Sequence, residues 1–245
     1  MLRFVSVIVL NIFLVLHFII RMSYYEKSKK VDDNFRYNYA RKILTKVIKR
    51  SRVTVNVTGL ENLDKLDDGY VLYANHQGKF DALAVYRVHE RQLSVVIDEK
   101  KSHGLLVTQF LKLVKAKRLE KDNFRQGISL FKEIGEEVKE GKNFLIFPEG
   151  KYEDNKNTLQ EFHTGCIKFL LSAKCPIVPV TLWDTYKVYG ENNLKKVTCS
   201  VNFLPAIYYD EYKDLNKIEI AELLKSRIQA KLDELGEKMT NILEK

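Results

Sequence analysis

The sequence predicts an α/β layered fold, with a mixed, largely parallel central sheet flanked by helices, preceded by an N-terminal membrane-anchoring helical segment. Three observations carry this expectation. From Val53 onward, short apolar runs of strand type alternate with amphipathic runs of helical type, the order that βαβ units produce. Polar residues gather directly behind two of those apolar runs, Asn75 and His76 behind "YVLYA" and Glu149 behind "NFLI", as they do at the carboxyl ends of parallel strands. Finally, Phe4 to Ile20, "FVSVIVLNIFLVLHFII", is almost wholly apolar.

Read as one helix at 1.5 Å per residue, that first run covers about 25 Å, close to the roughly 30 Å hydrocarbon core of a bilayer. Asn11 and His17 interrupt it only modestly, and no small-residue cleavage site follows, so a retained anchor is expected rather than a removed signal peptide. Arg21, Lys27, Lys29 and Lys30 follow the run and Arg3 alone precedes it, an asymmetry that predicts a cytoplasmic location for the rest of the chain. Next comes "NFRYNYARKILTKVIKRS", with Phe35, Tyr39, Ile43, Leu44, Val47 and Ile48 set among Arg36, Arg41, Lys42, Lys46, Lys49 and Arg50. This is a basic amphipathic helix, suited either to an anionic membrane surface or to packing on the main domain with a solvated basic face. The one boundary predicted falls after it, separating residues 1–52 from a main domain of 53–245.

Within the main domain "VTVNV" and "YVLYA" read as strands, and "NHQGK" as a turn in which Gly78 permits a sharp change of direction. "FDALAVYRVHE" reads as a helix, "QLSVVI" as a strand, "LVTQFLKLV" as a helix and "KRL" as extended. A longer helix is expected from Asn123 to Glu140, stopped by Gly141 as its C′ residue. "NFLIF" ends as a strand at Pro148, "TGCIKFLLSAK" reads as a helix, and "PIVPVTL" and "KVTCSVNFL" read as strands. The last helix starts near Lys217 and carries Leu224, Ile228, Leu232, Leu235, Met239 and Ile242 on one stripe.

A formal charge of +9 attracts acidic surfaces of any kind. No zinc-finger spacing, aromatic RNA-binding strand or glycine-punctuated arginine tract is present, so no nucleic-acid partner is expected. Cys166, Cys175 and Cys199 are odd in number and form no C-x-x-C pair, which argues for reduced, buried thiols facing a cytosolic environment. Cys166 stands near His163, but it continues the apolar stripe of its predicted helix and reads as core.

The chemistry concentrates at His76 and Asp81. Five residues apart, their side chains diverge by roughly 140° on a helix and face opposite sides of a strand. They meet only across a strand, a turn and a helix start, which is the local structure read above. An imidazole so held accepts a proton on one nitrogen while a carboxylate on the other fixes its tautomer and stabilises the imidazolium. No serine or cysteine nucleophile is suggested nearby, so the activated hydroxyl belongs to a substrate. Structural readings stand beside this one: a hydrogen-bonding histidine, an exposed first-turn acid at Asp81 and an ordinary turn carboxylate at Glu149. No second histidine falls at ligand spacing for a metal with His76, Asp81 and Glu149, and neither metal nor cofactor is expected.

Taken together, these stretches resemble the glycerolipid acyltransferases of the lysophosphatidic acid (1-acyl-sn-glycerol-3-phosphate) type. The Asn-His-x4-Asp motif is matched by Asn75, His76 and Asp81; Phe-Pro-Glu-Gly by Phe147, Pro148, Glu149 and Gly150; and a proline-bearing apolar strand by "CPIVPV" with Pro176 and Pro179. The resemblance covers about Val53 to Leu204. It implies that His76 deprotonates the free hydroxyl of the acceptor, that this hydroxyl attacks an acyl thioester, and that Asp81 orients the base. It also implies that Glu149 and its neighbours help to hold a phosphorylated acceptor. Three positions depart from the pattern: Lys121 stands where an arginine usually meets the phosphate, with Arg118 nearby; Lys151-Tyr152 replaces Thr-Arg; and Gly78 replaces a frequent serine. Lys115, Lys117, Arg118, Lys121 and Lys151 could form a phosphate-neutralising cluster or a solvated basic face. The expected activity is transfer of a fatty acyl group from a coenzyme A or acyl-carrier-protein thioester to lysophosphatidic acid at a membrane, forming phosphatidic acid. The alternatives are another lysophospholipid or hydroxyl acceptor, thioester hydrolysis, and a non-catalytic lipid-binding protein of the same fold.

Overall fold

The run "YVLYA" is apolar throughout because the strand inside it, Val71–Ala74, is covered on both faces. Val71 and Tyr73 pack into one core, Leu72 and Ala74 into another, the period-two alternation of a central strand. The computed structural model describes residues 2–243. Its strands are β1 (Val53–Thr58), β2 (Val71–Ala74), β3 (Ser94–Asp98), β4 (Lys117–Leu119), β5 (Phe144–Ile146), β6 (Ile177–Trp183) and β7 (Val197–Phe203). They form a seven-stranded sheet in the order β1-β7-β6-β2-β5-β3-β4, parallel at every pairing except β6 with β7.

The helices are α1 (Leu2–Leu10), α2 (Ile12–Lys27), α3 (Asp33–Lys49), α4 (Glu61–Asp64), α5 (Asp81–Val88), α6 (Leu105–Leu113), α7 (Phe124–Lys139), α8 (Leu170–Ala173), α9 (Tyr186–Gly190), α10 (Tyr209–Tyr212) and α11 (Lys217–Leu243). Residues of α2, α3, α5 and α6 pack against the Leu72 face of the sheet, and residues of α7, α8 and α11 against the Val71 face. This is the layered, mostly parallel architecture the sequence predicts. Helix α7 also matches its predicted signals, with the Asn123 side chain accepting the Gln126 N–H and Gly141 beyond the last turn at φ +90°.

Four expectations are corrected. The apolar run Phe4–Ile20 is not one helix. It breaks at Asn11, and α1 and α2 meet at 83°. The cause is polar and tertiary: Asn11 Nδ2 donates to the Val7 carbonyl at 2.7 Å and Oδ1 accepts from Arg50 at 2.7 Å, competing with the helical ladder. Among the described residues no single helix is long and apolar enough to cross a membrane, although this bent pair passes by length and composition. Second, "TGCIKFLLSAK" is a 3₁₀ turn at Thr164–Cys166 followed by the single turn of α8, rather than a continuous helix. Third, the stripe on α11 is buried only through Leu232; Met239 is exposed, and the Ile242 side chain lies outside the described residues. Fourth, the basic residues after β3 do not all gather in one place, as shown below.

The basic helix α3 resolves as a packed element. Tyr37, Ala40, Ile43, Leu44 and Ile48 are buried, and Lys42, Lys46 and Lys49 face outward. Beneath it His89 is wholly buried, its Nδ1 2.9 Å from the Arg91 carbonyl and its Nε2 2.7 Å from the Tyr70 hydroxyl. Burial pushes its imidazole down to about 4 from an ordinary 6.5. Because the unfolded chain takes up this proton below pH 6.5 and the folded one resists until about pH 4, stability is full above 6.5 and falls across that window. The loss is on the order of 3 kcal/mol at its limit. Urea unfolding at pH 7 and pH 4.5 should show a smaller pH dependence in His89→Gln than in the parent; equal slopes would contradict this assignment.

Candidate active site

Strand β2 ends at Ala74, and the chain then has to turn between the sheet and the start of α5. Asn75 fastens that exit: its Nδ2 donates to the Leu182 carbonyl of β6 at 3.1 Å and its Oδ1 accepts the Leu182 N–H at 2.7 Å. The next residue is His76, and Asp81 opens α5 five positions later. Their side chains meet, with His76 Nδ1 2.7 Å from Asp81 Oδ2. The same oxygen accepts the Gln77 N–H at 2.5 Å and the Gly78 N–H at 2.8 Å. Asp81 is fully buried, whereas the His76 side chain keeps 18 % of its surface exposed. With Nδ1 donating to a carboxylate, Nε2 is the nitrogen left to accept a proton.

The carboxylate shapes the turn, and Gly78 is not what permits it. Gly78 does not adopt a positive φ, and a Cβ built there would meet its nearest neighbour, Tyr186 Cα, at an ordinary 3.6 Å. Gly150 differs on both counts, at φ +65° with a Cβ only 2.9 Å from the His163 ring. Gly150→Ala is therefore expected to destabilise the protein by about 2 kcal/mol or more, and Gly78→Ala by less than about 1 kcal/mol. Denaturant midpoints of the two variants check the contrast.

The segment Phe147–Gly150 follows β5, the strand beside β2. Phe147 stacks on the His76 ring with centroids 4.3 Å apart, and Tyr152 approaches the same ring edge-on at 4.7 Å. Glu149 is buried with both oxygens engaged: Oε1 accepts the His76 N–H at 2.9 Å and Oε2 accepts from Gln160 at 2.6 Å. Burial pushes its carboxyl up, and these two donors act in the opposite direction. Pro148 is buried, and its carbonyl accepts the His163 N–H. Pro179 lies within β6, where a proline lacks a ladder donor. Its carbonyl accepts from Leu204, just past the last β6–β7 pair at Phe203, so its nitrogen faces the side where that ladder has ended.

The lysines and arginine gathered by sequence divide in space: Arg118 and Lys121 converge on the end of β3, while Lys115 and Lys117 turn to other elements. Lys115 pairs with Asp33 of α3 at 2.7 Å, and Lys117 pairs with Glu133 and Glu137 of α7. Arg118 engages Ser102 and Glu99, and Lys121 engages Asp98 at 2.9 Å. Lys151 is exposed beside Glu153. Lys101, in the 3₁₀ turn after β3, is a further cation near the His76–Tyr152 contact that the sequence does not single out. Its Nζ lies 4.4 Å from the Tyr152 ring centroid. Gln77, Asn155 and Gln160 were also missed. They are uncharged amides in a turn and a loop, and no periodicity marks them.

The thiols supply no nucleophile. Cys166 Sγ donates to the His163 carbonyl at 3.0 Å, and burial pushes Cys166, Cys175 and Cys199 each up to about 12.

Residues 54–183 match a family model described as acyltransferase. A protein of Borreliella burgdorferi named 1-acyl-sn-glycerol-3-phosphate acyltransferase is 25 % identical over 187 residues, 74 % of this chain and 72 % of that one. A protein of the same name from Cocos nucifera is 28 % identical over 112 residues, 44 % of this chain and 36 % of its own length. Among solved structures, the 1-acyl-sn-glycerophosphate (LPA) acyltransferase PlsC of Thermotoga maritima shares the fold with a TM-score of 0.71, covering 96 % of this chain and 94 % of that one at 18 % identity.

Proposed function

The chain belongs to the acyltransferase family, and from that premise we propose that it moves a fatty acyl group from a coenzyme A or acyl-carrier-protein thioester to the free hydroxyl of lysophosphatidic acid. The observation that carries the reading is the 2.7 Å contact between His76 Nδ1 and the buried Asp81 carboxylate. In this reading Nε2 takes the proton of the acceptor hydroxyl as its oxygen attacks the thioester carbonyl. The carbon–sulfur bond of the tetrahedral adduct then breaks, and the departing thiolate receives that proton from the imidazolium. Asp81 stabilises the imidazolium between the two events, and no covalent enzyme intermediate is needed.

Glu149 serves this reading by holding the His76 peptide, since both of its oxygens are already engaged. Phe147 stacks on the His76 ring, and the proposed acceptor side takes in Asn75, Gly78, Pro148, Gly150, Lys151 and Pro179 together with Arg118 and Lys121. A membrane association is supported by the outward side of α1 and α2. Val5, Val9, Leu10, Phe13, Leu16 and Ile20 are exposed while Arg3 and Asn11 are buried, the reverse of a soluble amphipathic pair. The flanking charges favour the cytoplasmic face for the main domain in this reading.

The test is lipid product analysis of the purified protein given lysophosphatidic acid and a panel of acyl thioesters. Phosphatidic acid is the expected product. Free fatty acid formed irrespective of acceptor, or saturable lipid binding with no turnover, would overturn the proposal.

A further inference from the structure

The main chain of His76 lies past the last β2 pairing, so neither its N–H nor its carbonyl has a strand partner. Two side chains from one loop take their place. Glu149 Oε1 accepts the N–H at 2.9 Å, and Asn155 Nδ2 donates to the carbonyl at 3.1 Å. We propose that Asn155 is a positioning residue for the base, acting through the His76 carbonyl to fix the peptide that carries the imidazole. The inference rests on the reading of His76 as the base and adds to it a residue that neither the sequence motifs nor the loop's charge marks out.

The amide is itself held rigidly. Its second N–H reaches the Thr158 carbonyl at 3.0 Å, its Oδ1 accepts the Glu153 N–H at 3.3 Å, and its own carbonyl accepts the Thr158 N–H and hydroxyl. Beside it, Asn157 accepts from Gln77 and from the Asp184 N–H and donates to the Asp184 carboxylate, while Gln77 Oε1 accepts from the Thr185 N–H and hydroxyl. The loop therefore straps the catalytic turn to the end of β6. Rotation of the peptide between His76 and Gln77 would swing the imidazole and pull the Gln77 N–H away from Asp81. Freeing the His76 carbonyl permits that rotation, and a displacement near 1 Å at a reacting group costs on the order of 10²-fold in rate.

The experiment compares Asn155→Ala and Asn155→Asp with Thr158→Ala in the full chain. Aspartate keeps the acceptor oxygens but cannot donate, and Thr158→Ala loosens the loop's own turn without touching His76. Both Asn155 variants are expected to lose about 10- to 100-fold in kcat, with KM for donor and acceptor within about twofold. The downfield proton resonance of His76 Nδ1–H, identified by its absence in His76→Ala, should broaden or vanish in both and persist in Thr158→Ala. An unchanged resonance and kcat in both Asn155 variants, or equal loss of kcat in Thr158→Ala, overturns the proposal. Should the parent protein transfer no acyl group, the functional reading fails separately, and the resonance alone decides whether Asn155 holds the base.

Discussion

His76→Ala is expected to lower kcat for acyl transfer by about 10²–10⁴-fold, the usual contribution of a positioned general base, while leaving a folded protein. The structure separates these two effects. The turn that carries His76 is held through main-chain groups, the N–H on Glu149 and the carbonyl on Asn155, and neither bond depends on the imidazole. Asp81 would still accept the N–H groups of Gln77 and Gly78. What the alanine removes is one hydrogen bond and the contacts with Phe147 and Tyr152, about 1–2 kcal/mol of stability from a partly exposed site. Phosphatidic acid formation, measured together with thermal unfolding, tests the separation. Activity within tenfold of the parent in a folded variant would remove His76 from the mechanism.

The contact between His76 and Asp81 was legible because it is local in sequence. Five residues span a strand end, a turn and a helix start, and each of those is fixed by short-range signals. The fold class was legible for a similar reason: apolar runs covered on both faces look the same whatever lies opposite them. What the sequence hid was the identity of distant partners. Lys115 reads as part of a basic cluster until the chain brings it to Asp33, and Lys117 and Arg118, adjacent on β4, reach Glu133 and Glu99 on different elements. Formal charge adds along a sequence, but each of these cations is answered in space by a carboxylate.

The N-terminal break has the same origin. Asn11 is a tolerable interruption by hydropathy, and only the arrival of Arg50 from the end of α3, with Arg3 buried against the carbonyls of Ser51 and Lys195, makes it a corner. The loop that straps the active site was hidden for another reason. Asn155, Asn157 and Gln160 carry no charge and follow no period, so their value lies wholly in which main-chain groups they reach. Gly78 makes the point for backbone: it reads as the glycine that lets the chain turn, yet of Gly78 and Gly150 only Gly150 holds a φ that other residues avoid.

Asp81→Asn is expected to lower kcat by about 10²-fold or more and to destabilise the protein by about 2 kcal/mol. Three N–H groups converge on Oδ2, from the His76 ring, Gln77 and Gly78, while the buried Oδ1 has no partner among the described residues. An asparagine must keep its oxygen at the Oδ2 position, because an NH₂ there would face three donors. The turn and the imidazole tautomer are therefore preserved, but the amide nitrogen takes the buried Oδ1 position, where the carboxylate makes no hydrogen bond, and the charge that would steady an imidazolium is gone. Hydrogen bonds to a carboxylate are roughly twice as strong as neutral ones, so the loss falls most heavily on the step in which the ring becomes cationic. The expected signature is a large fall in kcat with KM for both substrates nearly unchanged. Asp81→Ala should add to this the loss of the turn itself, with a larger fall in stability. If Asp81→Asn retained activity within about threefold of the parent while Asp81→Ala unfolded, the carboxylate would be a turn-forming group alone, and His76 would have to work without an electrostatic partner.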